Sequence, residues 1–167
     1  YSVASPSWGE DGEGRVVSTT VKRLIEERTS HGKRATPRNH RLYLGACSNY
    51  MCDARLGATV SVSGPAGKHF VLPRDPDRHN YLFVATGTGI APFRGMVLEL
   101  LTRLRGPIPG EIHLVVGAPY STDLLYHEAL LALAGAFPNF HYRQAISREH
   151  FEGRWGRYTH HVIDDEF

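Results

Sequence analysis

The stretch that decides the fold reads NYLFVATGTGIAPFR and spans residues 80–94. Its first half is an apolar run typical of a buried strand, and its second half has the pattern of an amphipathic helix. Two glycines lie at the turn between them. A strand, a glycine-rich turn and a helix in this order direct free backbone N–H groups and the positive end of a helix dipole to one place. The stretch therefore predicts a binding site for a negatively charged group such as a pyrophosphate.

Individual residues of the turn favour the same prediction. Gly87 and Gly89 permit a tight turn and a close approach of the backbone to a ligand. Pro92 suits the first turn of a helix, where its missing N–H removes no hydrogen bond. It also stands where the usual dinucleotide fingerprint has its third glycine. The turn taken alone therefore leaves an ordinary strand-to-helix connection as an alternative.

Length and charge exclude several classes of protein. The chain has 167 residues and a formal net charge of +2, so it can form one domain or two small ones. This near-neutral balance argues against a nucleic-acid-binding protein. No apolar run approaches the roughly 20 residues that a membrane-spanning helix needs. Because the chain begins at Tyr1 rather than Met, we expect a fragment of a longer protein.

The cysteines and histidines give no sign of a metal centre. Cys47 and Cys52 are too few for a four-cysteine iron–sulfur cluster. We favour free thiols in a reducing compartment, with a disulfide between them as the alternative. The ten histidines are scattered, and the adjacent pair His160 and His161 has poor geometry for one ion. We therefore expect no metal site.

A change in the sequence pattern divides the chain into two parts. Residues 1–72 read as short strands separated by turn signals, which is typical of an antiparallel barrel or sandwich. The elements expected in this part are strands at 17–25, Leu42–Cys47 and Ala58–Ser63 and a polar, basic loop at Arg28–Arg41. The proline-rich, charged segment Pro73–Arg78 follows. We place the domain boundary there, between residues 1–75 and residues 76–167.

The second part alternates strands and helices. After the stretch quoted above we expect a helix at about Pro92–Arg105, a strand at Glu111–Gly117, a helix capped by Ser121 or Thr122, and a strand at His141–Ser147. Alternation at this spacing predicts a parallel sheet with right-handed crossovers. Sheets of this kind bind ligands beyond the carboxyl ends of their strands.

The residues at these strand ends favour NADP over NAD. The ends are Thr86–Gly89, Gly117–Tyr120 and Ser147–Arg148. The common mode of NAD binding uses an acidic residue after the second strand, and Gly117-Ala118-Pro119 offers none. Arginines and hydroxyl groups that suit a phosphate follow the third strand: Ser147, Arg148, Arg154, Arg157 and Tyr158. A solvated basic loop is the alternative.

Several motifs, in this order, resemble those of the ferredoxin–NADP reductase family of the plant and bacterial plastid type. They are Tyr1–Ser5, Val21–Leu24, Gly45–Asp53, Gly64–Lys68, Thr86–Arg94, Gly117–Pro119, Leu124–Tyr126 and Ala145–Glu149. The resemblance covers nearly the whole chain. It implies an α+β protein of two domains: an antiparallel FAD-binding β-barrel, here partial, and an α/β NADP-binding domain with a parallel sheet.

The resemblance also implies roles for individual residues at the flavin. Tyr1 would stack on the isoalloxazine ring. Ser2 would hydrogen-bond near the reactive ring nitrogen, which makes it the candidate catalytic residue. Ala46, Cys47 and Ser48 would hold the flavin by backbone and hydroxyl contacts.

At the second nucleotide, the resemblance assigns the turn after the first strand and the basic segment after the third. The turn residues expected to meet NADP(H) are Thr86, Gly87, Thr88, Gly89 and Pro92. Ser147, Arg148 and Tyr158 would bind its extra phosphate, and the next basic contact is either Arg154 or Arg157. Lys22 would belong to a positive surface that meets the partner.

The activity that this resemblance implies is electron transfer between ferredoxin or flavodoxin and NADP(H), by hydride transfer between flavin and nicotinamide. The expected location is the bacterial cytoplasm or the plastid stroma. The reductase component of a multicomponent oxygenase or epoxidase, such as the benzoyl-CoA system, is the alternative, as is a catalytically incomplete nucleotide-binding module.

Two departures from the family pattern bear on FAD binding. Glu26 stands where the family usually has a tyrosine that stacks on the flavin adenine. The family's early barrel strands and its C-terminal segment lie outside the chain.

Overall fold

The computed structural model describes residues 1–29, 40–67, 70–102, 106–149 and 156–167, and only the backbone of residues 27–29, 40 and 41. Contacts divide the chain into two compact units. One is formed by Tyr1–Thr20 together with Phe70–Phe167, and the other by Val21–His69. None of the helices in these ranges has the length and hydrophobicity needed to span a lipid bilayer.

The unit Val21–His69 is built on a pair of antiparallel strands. β1 (Ile25–Thr29) pairs with β2 (His40–Leu44) so that Ile25 lies opposite Leu44. The helix α1 (Ala46–Asp53) begins almost immediately after β2. The antiparallel component expected from the sequence is present as this two-stranded sheet.

Other expectations for this region are corrected by the structure. The strand predicted at Leu42–Cys47 ends at Leu44. Side chains of α1 form hydrogen bonds with the backbone groups of Leu24 and Gly45 instead. The Ser48 hydroxyl accepts from the Leu24 N–H at 3.1 Å, and the Asn49 amide donates to the Gly45 carbonyl at 2.8 Å. Such local bonds compete with a strand ladder.

Two further strand predictions were wrong in extent or in kind. The strand predicted at 17–25 begins only at Ile25, although Thr19 forms an isolated antiparallel bridge with Val3. The strand predicted at Ala58–Ser63 is wrong, since residues 54–67 contain no strand. The loop predicted at Arg28–Arg41 has its two ends in β1 and β2, and residues 30–39 lie outside the described residues.

Three parallel strands form the centre of the other unit. β3 (Tyr81–Thr86), β4 (Ile112–Ala118) and β5 (Phe140–Ile146) lie in this order, with β4 in the middle. The helices that alternate with them are α2 (Ile90–Thr102), α3 (His127–Ala136) and α4 (Thr159–Glu166). The predicted parallel sheet and the predicted alternation of strands and helices are confirmed.

The second crossover helix begins later than predicted. Ser121 and Thr122 belong to a short 3₁₀ turn, Ser121–Asp123, whereas α3 begins at His127. Tyr126, the residue before α3, has a left-handed backbone with φ of 59°. Capping of the helix by Ser121 or Thr122 was therefore a wrong prediction, since three residues separate the turn from α3.

Burial on both faces explains why β4 reads as a continuous apolar run. Leu114 and Val116 belong to the main core, together with residues of α2 and α3. Val115 packs with Ala145 and Val162 in a second cluster. Because Val162 lies on α4, this helix covers the face of the sheet opposite to α2 and α3.

The N-terminal segment, residues 1–20, is held on α2 by polar contacts. The Arg94 guanidinium donates to the Ala4 carbonyl at 2.9 Å and to both oxygens of the Glu10 carboxylate at 2.5 and 3.1 Å. The Glu99 carboxylate accepts from the N–H and the hydroxyl of Ser7 at 3.0 and 3.1 Å. The bond from Arg94 is the main reason why the pKa of Glu10 lies below its ordinary value.

Between these contacts the backbone of the segment lies directly against the helix. A Cβ on Gly95 would come within 2.7 Å of the Ser5 carbonyl oxygen. Ala4 and Ser5 are buried there. The compact units therefore do not follow the boundary predicted between residues 75 and 76, because α2 keeps the N-terminal segment in the α/β unit.

We predict that Gly95→Ala destabilises the protein by about 1–3 kcal/mol, the usual effect of overpacking a close contact. The new methyl group meets backbone atoms of Ser5, which cannot rotate away. Urea denaturation followed by circular dichroism measures the change.

Gly135→Ala is the matched control, because this glycine also lies in a helix and its Cβ would meet nothing within 4 Å. It should leave stability unchanged or raise it by up to about 1 kcal/mol. Equal effects of the two substitutions would contradict the close packing of the N-terminal segment on α2.

Candidate functional site

The parallel register brings three predicted ligand-binding segments to one edge of the sheet. Thr86 pairs with Gly117, Gly117 with Ala145, and Ala118 with Ile146. The strand ends predicted from the sequence lie there, each with the residues directly after it as far as Asp123 and Glu149: Thr86–Gly89, Gly117–Tyr120 and Ser147–Arg148. We refer to them together as the carboxyl edge.

The first segment of the carboxyl edge is a 3₁₀ turn, Gly87–Gly89, that leads directly into α2. Gly87 has φ of +51°, in the left-handed region that favours glycine. A Cβ on Gly87 or Gly89 would meet nothing within 4 Å, so the turn has an open surface. Pro92 is the third residue of α2, where the sequence places it in the first turn.

The third segment extends the pairing of β4 with β5 beyond the strands themselves. The Ser147 N–H donates to the Ala118 carbonyl at 3.0 Å, and the Arg148 N–H donates to the Pro119 carbonyl at 2.9 Å. These bonds fix the backbone from which the exposed Arg148 side chain projects. Its guanidinium makes no hydrogen bond or ion pair with any described residue.

The two other arginines considered for this segment differ from Arg148. Arg154 lies outside the described residues. The Arg157 guanidinium donates to the His161 carbonyl at 3.1 Å and pairs with the Asp165 carboxylate. Since both of these partners belong to α4, the Arg157 guanidinium is already engaged with that helix.

The N-terminal end of α4 lies against the sheet beside this edge. A Cβ on Gly117 would come within 2.8 Å of Thr159 Cγ2 and 3.1 Å of Thr86 Cγ2. The absence of a side chain at Gly117 therefore lets Thr159 approach the strand ends. Tyr158, which directly precedes α4, is exposed, and its ring stacks on that of His160 with centroids 5.8 Å apart.

Glu149 has a role at the carboxyl edge that the sequence did not reveal. Its carboxylate accepts from the backbone N–H of Ser121 at 2.7 Å and from the Ser121 hydroxyl at 3.0 Å. These bonds join the segments that follow β4 and β5. The resemblance included Glu149 in a motif, but a partner 28 residues away gives no local signal.

The residues predicted to hold a flavin are divided between the two units. Tyr1 is 69% exposed and Ser2 is exposed, and the Ser2 carbonyl accepts from the Thr19 hydroxyl at 2.8 Å. In the other unit, Ala46 and Cys47 are exposed at the start of α1.

The Ser48 hydroxyl is hydrogen-bonded within its unit, whereas the Lys22 ammonium group makes no ion pair with a described residue. The buried Ser48 hydroxyl accepts from Leu24 and donates to the Gly45 carbonyl at 3.3 Å, so its one proton is used inside the unit. Lys22 is exposed and makes no ion pair with a described residue. Its neighbour Arg23, by contrast, pairs with Asp53 at 2.6 Å.

A family model described as the oxidoreductase NAD-binding domain matches residues 83–167, just over half of the chain. The chain belongs to this NAD-binding domain family. The matched range begins within β3 and includes all three segments of the carboxyl edge.

Several curated relatives of this family member are ferredoxin–NADP reductases. The root isozyme of Oryza sativa subsp. japonica is 36% identical over 154 residues, which cover 89% of this chain and 39% of the relative. The cyanelle enzyme of Cyanophora paradoxa is 38% identical over 157 residues, with 92% and 40% covered. The enzyme of Synechocystis sp. is 36% identical over 167 residues, with 98% and 38% covered. The resemblance found in the motifs is thereby confirmed, and the chain spans about two fifths of the length of these relatives.

Solved structures give the same fold for this NAD-binding domain protein. The ferredoxin–NADP⁺ reductase from Plasmodium falciparum with 2′P-AMP superposes with a TM-score of 0.62 at 21% identity, over 86% of this chain and 59% of that one. A second structure of that reductase gives a TM-score of 0.51 at 20% identity, with 71% and 56% covered. The two-domain α+β fold class inferred from the sequence agrees with both.

We predict that Gly87→Ala destabilises the protein by about 1–2 kcal/mol, because an L residue in the left-handed region is strained. Thermal or urea unfolding measures the effect. Gly89→Ala is the control two residues away, since its site is equally open but has no positive φ. If the two variants were equally stable, the left-handed turn at Gly87 would be contradicted.

Proposed function

We propose that this chain provides the NADP-binding part, and a portion of the FAD-binding part, of an oxidoreductase that transfers electrons between ferredoxin or flavodoxin and NADP(H). The observation that carries this proposal is the carboxyl edge, where an open glycine turn at a helix N-terminus follows β3 and an arginine that bonds no described residue follows β5, on either side of the central strand β4. The names of the relatives support the same activity.

In this proposal the pyrophosphate of NADP(H) binds at the turn of Thr86–Gly89 with Pro92. The α2 helix has 13 residues, and its dipole places partial positive charge at its N-terminus, beside this turn. The lack of side chains at Gly87 and Gly89 leaves room for phosphate oxygens to approach the backbone. The role of Thr88 is to line the same turn on the nicotinamide side.

The 2′-phosphate of NADP(H) is assigned to Ser147, Arg148 and Tyr158. Arg148 is favoured over Arg157 as the main cation, because the Arg157 guanidinium already bonds Asp165 and the His161 carbonyl. A guanidinium donates to phosphate in pairs of parallel bonds, which suits a terminal phosphate group. The neighbour reported with 2′P-AMP supports the proposal that a 2′-phosphorylated adenosine is the ligand recognised here.

The described residues also fit a flavin. Tyr1 provides an exposed aromatic ring, and the start of α1 provides ordered backbone. When bound, FAD supplies the chemistry that connects single-electron transfer with hydride transfer to nicotinamide. Tyr1 offers its ring for stacking, and Ser2 is the proposed catalytic residue that holds or moves a proton at its Oγ. The bond from Thr19 to the Ser2 carbonyl positions that residue. Ala46, Cys47 and Ser48 are proposed to bind the flavin through the start of α1.

The register of β1 and β2 supplies an aromatic residue that the sequence comparison had missed. Glu26 occupies the position where the family usually has the adenine-stacking tyrosine. Tyr43 lies directly opposite Glu26 in the antiparallel pair, and 46% of its surface is exposed. Opposed residues of antiparallel strands project to the same face of the sheet. We therefore assign adenine stacking to Tyr43 rather than to position 26.

Lys22 is the proposed contact for an acidic partner such as ferredoxin or flavodoxin. It is exposed, and the ion pair beside it uses Arg23 and Asp53 instead. A lysine without an internal partner can meet an acidic surface without first breaking a bond. Complementary charge of this kind acts mainly on the rate of association.

We predict that Arg148→Gln weakens binding of adenosine 2′,5′-bisphosphate by about tenfold or more, since a hydrogen bond to a charged group typically contributes about 1.5–3 kcal/mol. Isothermal titration calorimetry with the full chain measures this. Binding of 5′-AMP, which lacks the 2′-phosphate, should change little.

Arg143→Gln is the matched control. Arg143 lies within β5 and pairs with Glu166 at 3.0 Å, away from the carboxyl edge. It should bind both nucleotides as the unsubstituted protein does. Equal weakening in the two variants, or equal losses for the two nucleotides in Arg148→Gln, would show that Arg148 does not read the 2′-phosphate.

We predict that Tyr43→Ser weakens FAD binding by about fivefold or more, because stacking of a base on an aromatic ring is worth about 1–3 kcal/mol. Quenching of flavin fluorescence on binding to the full chain measures the affinity. Tyr50→Ser is the control, since Tyr50 is 57% exposed on α1 and is not opposite position 26. If Tyr50→Ser weakened binding as much as Tyr43→Ser, the assignment to Tyr43 would be wrong.

A further inference from the structure

Three possible metal-ligating side chains meet at the amino end of β4 and β5. They are Glu111, His113 and His141, whose ligand atoms all lie within 4.8 Å of one another. The carboxyl edge lies at the other end of the same strands. The group therefore takes no part in the proposed nucleotide site.

The backbone fixes where each of these side chains starts. His113 and His141 are directly opposite each other in the parallel pairing of β4 with β5, so their rings lie on one face of the sheet. Glu111 immediately precedes β4, and its backbone is held on both sides. Its N–H donates to the Asn80 side chain at 2.9 Å, and its carbonyl accepts from Tyr81 at 2.8 Å.

The side chains themselves are already close together. The His113 and His141 rings stack with centroids 4.5 Å apart, and His141 Nε2 lies 2.6 Å from a Glu111 carboxylate oxygen. The edge of the Phe167 ring covers His113, with centroids 4.7 Å apart. Half-buried imidazoles beside an aromatic ring are partly screened from water, whereas the more exposed Glu111 leaves an open side for an incoming ion.

We propose that Glu111, His113 and His141 form a binding site for one divalent transition-metal ion of the zinc class. Two imidazole nitrogens and one carboxylate oxygen are a ligand set that zinc accepts, with water in the fourth position. Zinc–ligand bonds of about 2.0–2.2 Å require the three ligand atoms to converge on one point, which small side-chain rotations from the present arrangement achieve. The bond between His141 and Glu111 is replaced by bonds to the ion.

The surrounding charges favour a cation. Among the described residues, the charged groups of fixed sign that act on His113 are the carboxylates of Glu111 and Glu166 and the guanidinium of Arg143. Arg143 is itself paired with Glu166 at 3.0 Å, which leaves the Glu111 carboxylate available to the ion. A bound ion would connect the segment before β4 with β5 and thereby stabilise the sheet.

The test is a zinc titration of the full chain, without an affinity tag and after treatment with a chelator, in competition with a chromophoric zinc indicator. One ion per chain is expected. Glu111→Gln, His113→Ala and His141→Ala should each weaken binding by more than about tenfold, since even outer-shell partners of a metal contribute that much. His79→Gln is the matched control, because its ring contacts Tyr81, whose side chain lies in the main core on the opposite face of the sheet from His113 and His141.

A second variant set separates this site from the adjacent histidines of α4. The rings of His160 and His161 lie 4.1 Å apart, and their double substitution by alanine should leave zinc binding unchanged. Loss of the ion in that double variant, together with its retention in His113→Ala, would overturn the proposal.

Thermal unfolding provides a readout that does not depend on the indicator. Zinc should raise the unfolding midpoint of the unsubstituted chain and not that of Glu111→Gln, whose substitution lies on the surface and removes only the anionic ligand. An equal rise in both proteins, or no rise in either, would also overturn the proposal.

Discussion

Burial of one face of α2 against the parallel sheet is the constraint on which the rest of the α/β unit depends. Ile90, Val97 and Leu100 are fully buried in the main core, so the helix has one orientation on the sheet. That orientation fixes the turn at Gly87–Gly89, because the turn connects α2 to β3 without a spare residue. It also fixes the polar face of α2, from which Arg94 and Glu99 hold the N-terminal segment.

One helix therefore positions two groups of residues that are distant in sequence. Its N-terminus carries the proposed pyrophosphate site, and its middle holds residues 4–10 through Arg94, Gly95 and Glu99. The segment that contains Tyr1 and Ser2 thus belongs to the same compact unit as the glycine turn Gly87–Gly89. In the proposed function, where two cofactor rings must meet, attachment of both groups of residues to one helix limits how far they can move apart.

The sheet itself has two ends with different chemistry. Its carboxyl edge combines an open glycine turn with the Arg148 guanidinium, which bonds no described residue, and this combination suits a phosphorylated ligand. Its amino end combines two imidazoles with a carboxylate, which suits a cation. Both arrangements follow from the parallel register, since strands that run the same way bring side chains from separate parts of the chain to the same end.

The sequence by itself determined the alternation of strands and helices after residue 80, the parallel sheet and the location of the glycine turn Gly87–Gly89. These features depend on local signals: an apolar run, two glycines, a proline and a helical period. The sequence also indicated Arg148 as a candidate phosphate ligand, and it indicated the resemblance to the ferredoxin–NADP reductase family. The strand predicted at Ala58–Ser63 was wrong because short polar-flanked runs carry no information about a pairing partner.

Tertiary structure alone decided which arginine is unengaged, which residues share a face and which segments form one unit. The sequence assigned Arg148 to the phosphate and left either Arg154 or Arg157 as the next basic contact. The contacts of Arg157 with α4 are visible only in the structure. Strand register places Tyr43 opposite Glu26, and it places His113 opposite His141. Register depends on packing between residues that are far apart in the chain, and a linear sequence does not record those distances.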